Sequence, residues 1–238
     1  MATKLLLLPG LLCDARLWRD VLPWLPTGEV LVADLTRDDS LDAMATRALA
    51  QADAAWGAGA GFAVAGLSMG GYAALALWRA ARPRISHMAL LDTSARADSQ
   101  EGARRRRAMM ALARTGMFRG VTPRLVPLLL HPSRIAGPLA REVMAMAESV
   151  GREAYLRQQQ AIIGRPDSRA MLAGIDVPTL VGVGEADALT PPHLAEEIVA
   201  AIPGAVLARF PGCGHLPCME DPGAVGRAMA AWLGATRS

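Results

Sequence analysis

A chain of 238 residues with 52% hydrophobic and 20% charged side chains can bury one large core, which excludes a disordered polymer. Its net charge of +3 is too small to argue for a nucleic-acid partner, and no basic–aromatic motif accompanies it. No run approaches the roughly 18 consecutive apolar residues of a membrane helix, and Cys13, Cys213 and Cys218 are an odd set without metal-ligand spacing that suits a reducing cytoplasm.

In chain order, Lys4–Leu8 reads as a buried strand. Its apolar run is cut by Pro9-Gly10 with no convincing cleavage site, which argues against a signal peptide. A loop and a helix carrying Leu17, Trp18, Val21 and Leu22 are predicted next, then a strand over Val30–Leu35. Ser40 is the N-cap of a helix running towards Trp56. Phe62–Leu67 is a third strand, followed by Ser68 and a helix from about Gly70 to Arg82, and His87–Leu91 is a fourth strand. Alternation of this kind predicts an α/β domain with a mostly parallel central sheet flanked by helices.

The pattern changes from Ala95 to Leu172, where no strand is predicted and Pro123, Pro127, Pro132, Pro138 and Pro166 break helical segments. Thr122-Pro123 reads as a helix start. Strands resume at Pro178–Val183 and Ala205–Phe210; Thr190-Pro191 starts the helix between them and Asp221-Pro222 the last one. Residues 1–94 and 173–238 therefore form the predicted core, and 95–172 a helical cap inserted in it. The cap holds fourteen arginines and six carboxylates, an excess of eight positive charges over a core that carries a deficit of five. It includes the run Arg104-Arg105-Arg106-Arg107, whose neighbours on a helix point about 100° apart and cannot all face one way. Such a field attracts anions: a substrate carboxylate, a coenzyme A moiety or an acyl carrier protein.

Gly66-Leu67-Ser68-Met69-Gly70 fits G-x-S-x-G, placed where a strand meets a helix, as a nucleophile elbow requires. The turn strains Ser68 and leaves no room for side chains two residues away on either side. A serine hydroxyl needs a base. Of four histidines, His87, His131 and His193 read as structural or exposed, whereas His215 sits in the glycine-flanked loop Gly212-Cys213-Gly214-His215 after the last strand, able to reach the strand ends. The base needs an acid to fix its tautomer. Asp187, in Gly184-Glu185-Ala186-Asp187 after the Pro178–Val183 strand, is the favoured one, with Asp92 and Glu185 as rivals. The order Ser68, Asp187, His215 is the one expected of this arrangement.

Together with Leu8-Pro9-Gly10-Leu11, Trp18 and Thr190-Pro191, these motifs span nearly the whole chain, which resembles small, capped, cofactor-independent serine esterases and lactonases of the α/β-hydrolase superfamily. Pro9-Gly10 stands where many relatives have His-Gly. The resemblance implies that the backbone N–H groups of Leu11 and Met69 form the oxyanion hole, with no cofactor and no metal. It also implies hydrolysis of a small carboxylic ester or lactone through an acyl-enzyme. Thioester hydrolysis and C–C bond hydrolysis use nearly the same constellation. A ligand-sensing protein that keeps the fold is an alternative of a different class.

Overall fold

The computed structural model describes residues 3–116 and 118–236. Six strands, β1 (Leu5–Leu8), β2 (Val30–Val32), β3 (Phe62–Leu67), β4 (Ile85–Leu91), β5 (Thr179–Gly184) and β6 (Val206–Phe210), form one sheet. The order is β2-β1-β3-β4-β5-β6 and every neighbouring pair is parallel. The helices are α1 (Leu41–Trp56), α2 (Met69–Ala81), α3 (Gln100–Thr115), α4 (Val126–Leu129), α5 (Pro138–Ile163), α6 (Pro192–Ala201), α7 (Pro217–Glu220) and α8 (Pro222–Leu233).

Parallel strands covered on both faces are apolar throughout, and here the pleat sends alternate residues to two cores. Leu6, Leu8, Val64, Leu90 and Val183 pack with Met44, Ala48, Leu75 and Ile198 of α1, α2 and α6. Leu5, Leu7, Ala65, Leu91 and Leu180 pack on the other face with Trp18 and with Val225, Met229 and Trp232 of α8. No strand interrupts the described residues of the insertion between β4 and β5. Its long helix α5 bends at Gly151, where φ is +83°. Ala140, Val143, Met146 and Ala147, before the bend, join the α8-side core, while Ala161 and Ile162 at its end join the other.

Two caps act as the sequence suggests: Ser40 Oγ accepts from Ala43 N at 3.3 Å and Asp221 Oδ1 from Ala224 N at 2.9 Å. Three local readings are corrected. Leu17, Trp18 and Val21 are buried, but the segment forms two short 3-10 turns at Ala15–Leu17 and Leu22–Trp24, because Pro23 and Pro26 cut the helix short. β2 ends at Val32, where pairing with β1 stops and the Asp34 carboxylate turns the chain by accepting from Thr36 N. Thr122-Pro123 opens a turn, with the helix starting at Val126. Thr190-Pro191 does open α6, with Pro191 as its N-cap and the Thr190 side chain bonded to Asp187. Among the described residues no helix is long and apolar enough to cross a membrane.

Candidate active site

Strand order reverses between β1 and β3, the switch point beyond whose carboxyl ends open parallel sheets place their sites. Ser68 stands there, between β3 and α2, at φ +56° and ψ −114°. Glycine is obligatory beside it: a Cβ on Gly66 would lie 2.2 Å from Gly70 O, and one on Gly70 would lie 1.9 Å from Leu8 O. Ser68 N donates to Leu91 O at 2.9 Å and Thr93 Oγ1 donates to Ser68 O at 2.8 Å, so the strained turn is held from β4 and the residues after it. The non-glycine residues with left-handed φ among the described residues are Leu12, Ser68 and Asp92. They follow β1, β3 and β4 at the same sheet end, and backbone strain of about 1–3 kcal/mol each concentrates where a site is built.

The β1 loop runs directly against the elbow, a Cβ on Gly10 falling 3.5 Å from Ser68 Cβ. Among the described residues neither Leu11 N nor Met69 N donates to a protein acceptor. Leu12 N does: it donates to Gln158 Oε1 at 3.0 Å, while Gln158 Nε2 donates to Leu35 O at 3.2 Å, both bonds buried. A residue of α5 therefore holds the loop after β1.

The structure brings Asp187 and His215 together. His215 Nδ1 and Asp187 Oδ2 are 2.8 Å apart and both side chains are buried. Asp187 also accepts from Leu189 N, Thr190 N and, at 2.6 Å, Thr190 Oγ1. Burial pushes its carboxyl up, but the His215 charge and the bonds from His215 and Thr190 outweigh this and hold it below 3.8. The His215 loop is pinned by Glu220, whose two oxygens accept from Gly214 N and His131 N, each at 2.7 Å, while His215 N donates to Leu129 O at 2.9 Å.

The remaining candidates lie elsewhere. Glu185 and His193 are exposed. His87 Nε2 is 2.9 Å from Ala235 O, and His131 Nδ1 is 2.8 Å from Ser133 Oγ. Asp92 is fully buried beside Asp187, but its Oδ1 accepts from Gly184 N and not from His215. Burial pushes Cys13 and Cys213 up to about 12, so they remain thiols. Asp92, Asp187 and His215 have ligand-type atoms within 4.8 Å of one another. Those of Asp187 and His215 are already committed to each other and to the Leu189–Thr190 turn. Gln158, Thr190 and Glu220 were not singled out from sequence as site residues. Gln158 acts across a long chain separation and Glu220 both across one, to His131, and locally, to Gly214 six residues before it, whereas Thr190 lies three residues after Asp187 and its sequence signal is that of a helix start.

The sequence model of the alpha/beta hydrolase family matches residues 5–228, and the chain belongs to that family. It is 29% identical over 232 residues to a pimeloyl-(acyl-carrier protein) methyl ester esterase of Neisseria meningitidis serogroup B, covering 91% of this chain and 87% of the relative. A thermophilic esterase from Thermogutta terrifontis, solved with malate bound, is 30% identical, with a TM-score of 0.85 over 98% of this chain and 90% of its own. The enol-lactonase of Burkholderia xenovorans LB400 shares the fold, with a TM-score of 0.85 at 24% identity over 99% of this chain and 92% of its own. With these relatives, the chain is a carboxylic-ester hydrolase of the family.

Proposed function

We propose that the chain cleaves a carboxylic ester or lactone through an acyl-enzyme on Ser68. Ser68 Oγ attacks the acyl carbon and His215 takes its proton. Asp187 holds Nδ1–H and stabilises the imidazolium. The backbone N–H groups of Leu11 and Met69 receive the oxyanion, Met69 at the positive end of α2. His215 then protonates the leaving alkoxide, and water, deprotonated by His215, releases the acid. The observation that carries this reading is the buried 2.8 Å Asp187–His215 pair at the sheet end where Ser68 stands strained.

Residues 95–172 form the cap over that end, on this reading, and their surplus of arginine favours anionic substrates. An acyl group on an acidic carrier protein or on coenzyme A fits that charge, and the Neisseria relative, named for an acyl-carrier-protein ester, supports it. Three unpaired cysteines support action in a reducing compartment such as the cytoplasm.

The test is covalent. A fluorophosphonate is expected to label Ser68 in the parent and nothing in Ser68→Ala, with turnover of p-nitrophenyl esters lost in parallel. Labelling that persists in Ser68→Ala would sink the assignment.

A further inference from the structure

Asp92 is the deepest polar group beside the proposed triad, and the steps above do not use it. It follows β4 at φ +44° with no exposed surface. Its Oδ1 accepts from Gly184 N at 2.8 Å, and its Oδ2 is buried without a hydrogen-bond partner. An orphaned carboxylate oxygen at full burial is costly unless something fills its need.

Asp187 supplies the contrast. Its two oxygens accept four hydrogen bonds, from Leu189 N, Thr190 N, Thr190 Oγ1 and His215 Nδ1, whereas Asp92 accepts one. The charged groups acting on Asp92 are Asp187 and Glu220, both acidic; His215 and the thiols of Cys213 and Cys218 are its other titratable neighbours. Two buried carboxylates with oxygens within 4.8 Å of one another do not both ionise readily. The charge goes to the one with four donors. Burial pushes the Asp92 carboxyl well above the usual range, and the charge of Asp187 adds to it, against the opposing bond from Gly184 N.

We propose that Asp92 is a positioning residue, a neutral carboxylic acid that donates its Oδ2 proton to Asp187 and so fixes the carboxylate that holds His215. The proton gives the orphaned oxygen a role as donor. It also leaves one negative charge, not two, facing the imidazole. This rests on the reading of Ser68, His215 and Asp187 as the triad.

Asn at position 92 keeps both functions, an oxygen for Gly184 N and an N–H for Asp187, whereas Ala keeps neither. With p-nitrophenyl acetate, Asp92→Ala is expected to lower kcat by about tenfold or more, with KM within about twofold. Asp92→Asn should rescue kcat to within about threefold of the parent and leave the acidic limb of the kcat/KM pH profile in place. A difference infrared spectrum, parent minus Asp92→Asn, should show a protonated carboxyl band at neutral pH. An acidic limb lowered by about one pH unit in Asp92→Asn would mean an ionised Asp92 and overturn the proposal. So would equal kcat losses in both variants, or absence of the band. If Asp92→Ala does not fold, the Asn variant and the spectrum still decide. Full activity in Asp187→Asn and His215→Ala would instead overturn the triad reading itself.

Discussion

At the carboxyl end of the sheet, Asp187, His215 and Glu220 are buried and hydrogen-bonded to their neighbours, and the backbone is bent into left-handed conformations. In the insertion between β4 and β5, arginines lie mostly at the surface. Arg96, Arg152 and Arg169 pair with Glu197, Glu153 and Asp167, while Arg105 and Arg107 have no ion-pair partner among the described residues. Half-exposed pairs of this sort contribute little to stability. The first region is marked by buried hydrogen bonds and bent backbone, the second by a surface of arginine charge over helices anchored in the cores. On the proposed reading, the reaction type belongs to the strand ends and the substrate preference to the surface of the insertion.

The contrast predicts a gradient of mutational effects. Ser68→Ala should lower kcat by about 10⁶-fold with the thermal midpoint almost unmoved, because triad members act as a unit. A loss below about tenfold would remove the sheet end from the chemistry. Asp187→Asn should cost about 10⁴-fold. It carries a second readout, since a carboxyl held below 3.8 in the folded chain stabilises it at higher pH. That stabilisation is complete above about pH 4 and lost as pH falls through the folded value. Thermal unfolding of Asp187→Asn should therefore fall less steeply than the parent's on acidification below pH 4.

Gln158 crosses the boundary, an insertion residue that binds the loop after β1. Gln158→Ala should lower kcat by about tenfold with KM little changed, at a cost of about 1–3 kcal/mol for the unpaired Leu12 N. An unchanged kcat would show that the insertion takes no part in positioning the oxyanion. The smallest effect should follow replacement of Arg104, Arg105 and Arg107 by Gln. The expected result is a loss of a few-fold in kcat/KM for an anionic ester at low salt and none for its neutral match. Equal values for both esters would make the insertion a plain cover.

What could be read in the sequence follows the same divide. Phe62–Leu67 and the glycines around Ser68 are legible because the constraint is local: an apolar strand, a forced turn and two positions with no room for a Cβ. Asp187 and His215 each follow a strand at the same sheet end, and the structure brings their side chains together. Gln158 is invisible because its partner is chosen by tertiary approach, meeting Leu12 across 146 residues, and Glu220 reaches one partner, His131, in the same way. The four arginines illustrate the limit. Their helix is legible, but only the fold selects Arg106, which turns inward to Asp98 and Gln159 while the other three face solvent.

The bend at Gly151 matters for how the molecule comes apart. α5 enters one core before the bend, keeps Tyr155 there after it and finishes in the other at Ala161 and Ile162, so neither sheet face can loosen without pulling on the same segment. A helical insertion is often where a chain melts first or is nicked by a protease. Here the two layers are tied by one strap, and denaturation should be a single cooperative event, with the insertion surviving as long as the sheet does.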